Sequence, residues 1–259
     1  MTVPIPPYPT GAGLLKGKRV VVTAAAGAGI GFATAKRCAE EGARLVISDI
    51  HDKRLTAASE ALGDVAGETV RGVPCDVRSE EDVQGLLAAA NETLGGVDVW
   101  INNAGLGGAT PIVDMTDDEW SRVLDITLTG TFRCVRAAMQ AMRRTGGVIV
   151  NNASVLGWRA QKEQAHYAAA KAGVMALTRC AGLEGAEFGV RVNAVAPSLA
   201  MHPFLQKVTP PGLLEELEGR EAYGRAAKPF EVANVIVFLA SDLSSYMTGE
   251  VVSVSSQRA

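Results

Sequence analysis

The stretch Arg19-Val20-Val21-Val22-Thr23-Ala24-Ala25-Ala26-Gly27-Ala28-Gly29-Ile30-Gly31 decides the fold of this chain. Its apolar, β-branched first part is typical of a buried strand, and the three glycines after it are typical of a turn that leads into a helix. Glycines let a backbone approach a pyrophosphate closely, and a helix N-terminus supplies N–H groups to it. The candidate cofactor-binding residues in this turn are Thr23, Gly27, Gly29, Ile30 and Gly31.

Short apolar runs alternate with amphipathic stretches on the C-terminal side of this turn. Together with the first run they predict seven strands, at residues 19–23, 44–48, 69–75, 97–101, 148–152, 190–195 and 250–254. Helices are predicted between them, at residues 32–41, 52–62, 79–94, 116–144, 166–188 and 230–240. Strands that alternate with helices imply right-handed βαβ crossovers and a parallel sheet with helices on both faces. We therefore predict an α/β fold, a single doubly wound Rossmann-like domain over residues 18–259.

Two segments depart from that alternation. Residues 1–17 contain four closely spaced prolines and predict an extended N-terminal arm. Residues 198–228 contain further prolines among apolar residues, and we expect this substrate loop to cover a bulky apolar substrate. Ordinary amphipathic helix packing accounts for the same apolar residues equally well.

The composition argues against several classes of function. The chain has 259 residues, a net charge of −3 and 5% aromatic residues, which argue against a nucleic-acid-binding protein. No apolar run approaches the ~20 residues that span a bilayer, and the N-terminus lacks the features of a signal peptide, so we predict a cytoplasmic protein without a membrane partner. The four cysteines form no CxxC pair and the three histidines have no ligand spacing, so we predict neither a disulfide framework nor a metal site.

An acidic residue, Asp49, stands at the end of the second predicted strand (residues 44–48), 18 residues after Gly31. The dinucleotide-binding fingerprint has its acidic residue about 20 residues on. A carboxylate at this place binds the adenosine ribose hydroxyls and repels a 2′-phosphate. Ala28 adds no positive charge to the turn, so the residues favour NAD over NADP. Lys53 and Arg54 follow closely, but charges of this kind suit the solvated start of the next helix.

Tyr167 and Lys171 are four residues apart and therefore share one face of a predicted helix. A free tyrosine, with a pKa near ~10, is a poor base at neutral pH, whereas a neighbouring ammonium favours the phenolate and lowers that pKa. Taken alone, the same spacing also suits an ordinary surface pair. His166 directly precedes Tyr167, and because neighbours on a helix do not face each other we expect His166 to be structural.

Further motifs stand in a fixed order along the chain. They are Cys75-Asp76-Val77, Asn102-Asn103-Ala104-Gly105, the region of Ser154, and Arg191-Val192-Asn193-Ala194-Val195-Ala196-Pro197. Together with the glycine-rich turn, Asp49 and the Tyr167–Lys171 pair, these motifs resemble the short-chain dehydrogenase/reductase family. The resemblance covers nearly the whole chain, from about Lys18 to Val254.

The resemblance implies a role for each matched residue. Tyr167 is the general acid/base, Lys171 lowers its pKa and holds the nicotinamide ribose, and Ser154 donates a hydrogen bond to the substrate oxygen. Asp76 and Val77 contact the adenine. The other cofactor-binding residues that it implies are Asn103, Ala104, Gly105 and Pro197.

The sequence departs from the family pattern at several positions. Ala24 and Ala25 stand where the family has Thr-Gly. Thr127 stands where the family has an asparagine of its proton relay, and we expect its hydroxyl to order a water as a catalytic residue. His202 stands near the family threonine that binds the carboxamide; a contact with substrate or cofactor and a solvated loop position are the two interpretations of it.

Residues 151–161, 175–180 and 253–257 resemble more closely an actinobacterial reductase group of cholesterol ring C/D breakdown. This closer resemblance implies a small-molecule substrate, a steroid-derived hydroindene-carboxyl-CoA thioester that is oxidised at a ring hydroxyl. The candidate substrate residues are Leu106, Leu156, Trp158, Leu199 and His202. The apolar and alanine-rich faces of the helices at 116–144 and 166–188 predict a homotetramer or at least a homodimer.

Two alternatives stay open. A fatty-acyl 3-oxo reductase that uses NADPH fits the same motifs, although Asp49 argues against its cofactor. A non-catalytic dinucleotide-binding regulator fits the same fold. The Ser154, Tyr167 and Lys171 side chains argue against a regulator, whereas Thr127 leaves it open.

Overall fold

Helices and strands alternate along the chain. The structure, a computed structural model, describes residues 2–208 and 211–257. The strands are β1 (Arg19–Val22), β2 (Arg44–Asp49), β3 (Arg71–Pro74), β4 (Val99–Asn102), β5 (Gly147–Asn152), β6 (Val190–Pro197) and β7 (Val251–Val254). The helices are α1 (Ile30–Glu40), α2 (Asp52–Ala66), α3 (Glu80–Leu94), α4 (Asp117–Leu124), α5 (Gly130–Met142), α6 (Ala165–Ala186), α7 (Pro203–Val208), α8 (Pro211–Arg220) and α9 (Pro229–Ala240). None of these helices, as far as the chain is described, is both long and apolar enough to cross a membrane.

The strands of the described residues form one parallel sheet of seven, in the order β3-β2-β1-β4-β5-β6-β7. This confirms the predicted doubly wound, Rossmann-like α/β fold. In such sheets ligands bind in the crevice beyond the carboxyl ends of the strands, where the strand order reverses. Here the order reverses between β1 and β4, so Thr23 and Asn103, which follow these two strands, border the crevice.

Alternate side chains of each strand enter two separate apolar layers. Val20 and Val22 pack with residues of α1 and α9 on one face of the sheet, and Val21 packs with residues of α3 and α5 on the other. A strand that is buried on both faces is continuously apolar, which is why β1 is so evident in the sequence. Each buried valine contributes roughly 1.5–3 kcal/mol through the hydrophobic effect.

The long helix predicted at residues 116–144 extends from Asp117 to Met142 but contains one turn that is not α-helical. Its start is as expected, because Thr116 and Glu119 form a reciprocal capping box before α4. Between α4 and α5, however, residues Asp125–Thr129 form one π-helical turn, in which the helix widens. Thr127 lies in this turn and is fully buried. Its side chain contacts Leu106 in the segment that follows β4.

The substrate loop at 198–228 contains two helices, α7 and α8. Main-chain pairing holds its two ends, since Ala200 bridges Ala227 and Glu221 bridges Gln257. Residues 209 and 210 of this loop lie outside the described residues. So do Met1 of the predicted arm and residues 258 and 259 of the predicted domain.

Residues 2–13 contain no helix or strand but are fastened to the domain by their side chains and main chain. The Tyr8 hydroxyl donates a hydrogen bond of 2.7 Å to the Glu40 carboxylate, and its ring lies 5.0 Å from the Phe230 ring. Further on, the Ala12 N–H donates to the buried Glu41 carboxylate at 2.8 Å. The arm therefore crosses the C-terminal part of α1 and the start of α9.

Both ends of the described chain meet the exit of the substrate loop. The Val3 N–H donates to the Tyr223 carbonyl at 2.9 Å, and the Ala222 N–H donates to the Ser256 carbonyl at 2.6 Å. The Ser256 hydroxyl adds a 2.9 Å hydrogen bond to the buried Glu221 carboxylate. These contacts fix residues 221–223 between the N-terminal arm and the C-terminal tail.

Gly31→Ala should destabilise the protein. A Cβ at Gly31 would overlap the Ala24 carbonyl oxygen and the Asn103 amide nitrogen, so α1 or the turn would have to shift. We expect a loss of about 1–3 kcal/mol in the free energy of unfolding, measured by denaturant titration. Gly29→Ala is the matched control, because a Cβ there meets no atom within 4 Å. Equal stability of the two variants would contradict this account of the turn.

Candidate active site

The three side chains inferred to be the catalytic core converge beyond the carboxyl end of β5. Ser154 follows β5 closely, Tyr167 lies in the first turn of α6, and Lys171 lies one turn further along that helix. The Ser154 side chain lies within hydrogen-bonding reach of the Tyr167 phenol and lowers its pKa. The Lys171 ammonium lies 5.5 Å from the centroid of the Tyr167 ring. The fold thus brings together residues that are up to 17 positions apart in the sequence.

Burial dominates the electrostatics of this cluster. It raises the pKa of Tyr167 to about 12, against the opposing effect of the Ser154 hydrogen bond. It also lowers the pKa of Lys171 to about 8. Both shifts arise because a charged group loses solvation inside the protein. In the ligand-free protein, burial therefore outweighs the lowering of the Tyr167 pKa that the sequence leads us to expect from Lys171.

A chain of hydrogen bonds connects the lysine to the glycine-rich turn. Lys171 Nζ donates to the Asn152 carbonyl at 2.5 Å. The Asn152 amide donates to Asn103 Oδ1 at 3.0 Å, and the Asn103 amide donates to the Ala24 carbonyl at 3.0 Å. The chain runs from α6 across the ends of β5 and β4 to the end of β1, and so it fixes the distance between the lysine and the turn.

The asparagines of β5 were missed in the sequence. Asn102 and Asn151 are paired positions of β4 and β5. The Asn102 amide donates to Asn151 Oδ1 at 2.8 Å, and the Asn151 amide donates to the Thr178 hydroxyl at 2.9 Å. Buried amides that satisfy one another fix the register of neighbouring strands. The available signal was an Asn-Asn pair at the end of each of two adjacent strands.

Thr127 holds the segment that follows β4. Its hydroxyl accepts a hydrogen bond of 2.9 Å from the Leu106 N–H and donates one of 3.1 Å to the Leu106 carbonyl. A hydroxyl has one proton, so Thr127 donates nothing to a relay water while this bond is present. A Cβ at Gly105 would lie 3.4 Å from Lys171 Nζ and 3.8 Å from Thr127 Oγ1. Thr127 therefore anchors this segment beside the lysine.

The glycine-rich turn has the features of an anion site. Gly29 caps α1 without a side-chain hydrogen bond, and the first turn of α1 carries no acidic residue. Its first N–H groups are therefore left for an anion. Cβ atoms at Gly27 and Gly29 would meet nothing within 4 Å, so open space borders the turn. Ala24 has a φ of 50°, the left-handed conformation that favours glycine.

Asp49 lies at the edge of this turn. Its carboxylate accepts hydrogen bonds from the Ala26 N–H at 3.2 Å and from the His51 N–H at 3.0 Å. Arg54 lies 3.9 Å from the same carboxylate. Burial raises the pKa of Asp49, and the Ala26 N–H, the Arg54 guanidinium and the Ile50 N–H oppose that shift. The side chain is thus fixed in place by the backbone of the turn that it faces.

The other residues inferred to bind the cofactor lie at the carboxyl edge of the sheet. The Thr23 hydroxyl accepts from the N–H groups of Asn103 and Ala104, at 3.0 and 3.3 Å, and ties the ends of β1 and β4 together. Pro197 ends β6. Their positions are those of a crevice wall, but their contacts with an adenine or nicotinamide stay predictions.

Asp76 and Val77 follow β3. The Asp76 carboxylate binds the Arg78 guanidinium through two oxygens, which lowers the pKa of Asp76. The Val77 side chain is buried, and a Cβ at Gly130 would lie 2.6 Å from one of its methyl groups. Both side chains thus have structural contacts, and their proposed contact with the adenine stays a prediction.

The candidate substrate residues divide into two groups. Leu106 and Leu156 are half-buried and belong to the segments that Thr127 and Ser154 hold, since the Leu156 N–H donates to the Ser154 hydroxyl at 3.2 Å. Trp158 is 51% exposed two residues further on. Leu199 and His202 lie on the substrate loop, where the His202 imidazole accepts from the Leu205 N–H at 3.4 Å at the start of α7.

Comparisons with known proteins agree with this geometry. The sequence profile described as "Enoyl-(Acyl carrier protein) reductase" matches residues 24–256. A Mycobacterium tuberculosis protein named "(5R,7aS)-5-hydroxy-7a-methyl-1-oxo-2,3,5,6,7,7a-hexahydro-1H-indene-carboxyl-CoA reductase" is 60% identical over 249 residues, which are 95% of each chain.

Two solved structures share both the fold and the sequence pattern. A short chain dehydrogenase from Mycobacterium smegmatis is 58% identical, with a TM-score of 0.87 over 98% of each chain. An NAD+-bound xylitol dehydrogenase is 32% identical, with a TM-score of 0.89, and the match covers 93% of this chain and 99% of the other. The resemblance inferred from the motifs is confirmed: the chain belongs to the short-chain dehydrogenase/reductase family of oxidoreductases.

Proposed function

We propose that this chain is an NAD-dependent oxidoreductase that interconverts a secondary alcohol and a ketone by hydride transfer. The observation that carries the proposal is the cluster in which Ser154 lies within reach of the Tyr167 phenol and Lys171 lies one helical turn away, with its ammonium 5.5 Å from the centroid of the Tyr167 ring. No side chain donates a hydride, so a nicotinamide must carry it. The protein then has to move one proton and stabilise charge on one oxygen, and these hydroxyls suit both tasks.

The residues along the crevice fit NAD. The N–H groups at the start of α1 would hold its pyrophosphate, and Asp49 its adenosine ribose. Lys171 has two protons left beyond its bond to Asn152, and these would hold the nicotinamide ribose. The side-chain oxygen of Asn152 is buried without a hydrogen-bond partner in the described part of the chain, which leaves an acceptor for a bound group. Further proposed contacts are Thr23, Gly27, Gly29, Ile30, Gly31, Asp76, Val77, Asn103, Ala104, Gly105 and Pro197.

The mechanism follows from the state of the three side chains. Bound NAD would supply the hydride acceptor for oxidation, and bound NADH the hydride donor for reduction. Tyr167 moves the proton at its phenol oxygen, and Ser154 donates a hydrogen bond to the substrate oxygen. Because burial raises the pKa of Tyr167 to about 12, the resting site already holds the proton that reduction needs. Oxidation requires the phenolate, and the Lys171 ammonium is the nearby charge that favours it.

We propose as substrate a steroid-derived hydroindene-carboxyl-CoA thioester. The support is the 60% identical relative that is named for such a compound. The candidate walls are Leu106, Leu156, Trp158, Leu199 and His202. Their largely apolar character suits a fused ring system, and the substrate loop at 198–228 would cover it.

We also propose that the enzyme is a homotetramer or homodimer in the cytoplasm. Exposed apolar side chains support the assembly, because Ile112 is 72%, Leu183 77% and Leu243 65% exposed. They belong to segments around α4, α6 and α9, so more than one surface is available. The four cysteines are free thiols, which suits the reducing cytoplasm.

The activity itself is tested by turnover of the CoA thioester with NAD and NADH. Tyr167→Phe keeps the ring but removes the titrating oxygen, so kcat should fall by at least ~10²–10⁴ while NAD affinity stays nearly unchanged. Tyr246→Phe, at a tyrosine with a fully exposed side chain, is the control and should keep the wild-type kcat.

Two outcomes would contradict the proposal. If the wild-type protein binds NAD but turns over neither the thioester nor any of a panel of secondary alcohols, the regulator is the better interpretation. If Tyr167→Phe stays within about tenfold of the wild type, Tyr167 is not the general acid/base.

Cofactor choice should depend on Asp49. NAD should be preferred, and Asp49→Ser combined with Ile50→Arg should shift the preference toward NADP, because a 2′-phosphate then meets a guanidinium instead of a carboxylate. Ile50 is 56% exposed, so an arginine has room there. The ratio of kcat/KM for the two cofactors measures the shift, and a wild-type preference for NADP would overturn the argument.

Thr127 should act through its hydroxyl. Thr127→Val keeps the shape but leaves the half-buried N–H and carbonyl of Leu106 without their partner, so turnover should fall by about tenfold without a change in cofactor affinity. Thr127→Ser keeps the hydroxyl and should restore most of the rate. Steady-state kinetics and NADH titration measure both, and equal turnover of the two variants would show that the hydrogen bonds are dispensable.

A further inference from the structure

The backbone N–H of Tyr167 needs a partner that the helix does not supply. Tyr167 is the third residue of α6, and the first four N–H groups of an α-helix have no intrahelical acceptor. The residue before the helix, Gln164, makes no side-chain cap. Its amide instead donates to the Gly108 carbonyl in the segment after β4.

His166 supplies the missing acceptor. Its Nδ1 accepts a hydrogen bond of 2.9 Å from the Tyr167 N–H. An imidazole nitrogen that accepts carries no proton, so the neutral ring has its proton on Nε2. The side chain is only 1% exposed, and it is therefore held in one orientation.

The opposite edge of the imidazole is packed against Gly108. A Cβ at Gly108 would lie 2.6 Å from His166 Nε2 and 3.2 Å from its Cε1, so only glycine leaves room for the ring. The preceding residue, Gly107, is close to the Tyr167 ring, since a Cβ there would lie 3.8 Å from Cδ2. His166 thus lies between the tyrosine backbone and the segment that borders the tyrosine ring.

We propose that His166 is a positioning residue for Tyr167 and that it acts through the main chain. Neighbouring side chains on a helix do not face each other, so His166 does not reach the Tyr167 hydroxyl. It fixes the first turn of α6, and with it the place from which that hydroxyl reaches Ser154 and the substrate. Displacement of a reacting group by about 1 Å costs up to ~10²-fold in rate. The proposal rests on the role of Tyr167 given above.

The geometry predicts which replacements of His166 succeed. In asparagine, Oδ1 occupies the place of Nδ1 and accepts a hydrogen bond, whereas in glutamine the acceptor lies near the place of Nε2. Leucine fills the space without an acceptor. We expect His166→Asn to retain most of the kcat, and His166→Gln and His166→Leu to lose at least ~10-fold, with the affinity for NADH unchanged in all three.

Hydrogen–deuterium exchange of the Tyr167 amide in the ligand-free protein gives a readout that does not depend on activity. The amide should be protected in the wild type and in His166→Asn, and should exchange faster in His166→Gln and His166→Leu. A merely space-filling histidine would give the opposite order, because leucine and glutamine replace its volume better than asparagine does.

A second variant tests the packing from the other side. Gly108→Ala should push the imidazole away from the Tyr167 N–H and lower kcat by at least ~10-fold. The double variant Gly108→Ala with His166→Asn should recover most of this loss, because asparagine lacks the ring atoms that the new Cβ meets. Such recovery is a coupling between the two sites that independent structural damage does not produce.

The possible results separate this proposal from the general function. Equal kcat in the asparagine, glutamine and leucine variants would overturn it, even if amide exchange follows the predicted order. Equal exchange rates in the three variants would overturn it as well. If Tyr167→Phe keeps its activity, the proposed function fails instead, and the exchange data then still show whether His166 caps the Tyr167 amide.

Discussion

The hydrogen bonds from Lys171 through Asn152 and Asn103 to the Ala24 carbonyl are the constraint on which the site depends. They connect one helix with three neighbouring strand ends, and so they hold Lys171 and the glycine-rich turn in a fixed relative position. Rigid supports of this kind are what hold a reacting group within the small tolerance that catalysis allows. Gly31 belongs to the same constraint, because the Asn103 amide occupies the space that a side chain at position 31 would need.

Within that frame, burial gives the cluster its resting protonation. Lys171 is buried and Tyr167 is half-buried, and the loss of solvation disfavours the charge on each. The Tyr167 phenol is therefore protonated in the resting site and is a poor base there. Because surroundings of low polarity screen charges weakly, any charge that enters this site interacts strongly with Tyr167 and Lys171.

Much of the fold could be predicted from the sequence because its causes are local. A strand that is buried on both faces must be continuously apolar, which made β1 evident. A turn that brings the backbone close to a pyrophosphate at a helix N-terminus has no room for side chains, which made the glycines evident. The candidate catalytic side chains were named through the family motifs, since a hydroxyl or an ammonium carries no periodicity. Ser154, Tyr167 and Lys171 could in this way be named before their contacts were known.

The remaining features depend on tertiary contacts that no local pattern encodes. One added residue in the π-helical turn Asp125–Thr129 hardly changes the apolar spacing, so a continuous helix was predicted there. The net direction of the Tyr167 pKa shift in the ligand-free protein was not evident, because a helix-face argument brings the lysine near but does not show how much solvation the phenol loses. Thr127 was recognised by position, while its partner, the backbone of Leu106, lies 21 residues away.

The fastening of both chain ends has a practical consequence for attaching this protein to anything else. Val3 pairs with Tyr223, and Ser256 pairs with Ala222, so a fusion partner or a surface linkage at either terminus would pull on the exit of the substrate loop. The turn at residues 67–69, between α2 and the edge strand β3, is exposed and lies at the opposite edge of the sheet from β7. Immobilisation through that turn would leave the substrate side of the molecule mechanically undisturbed.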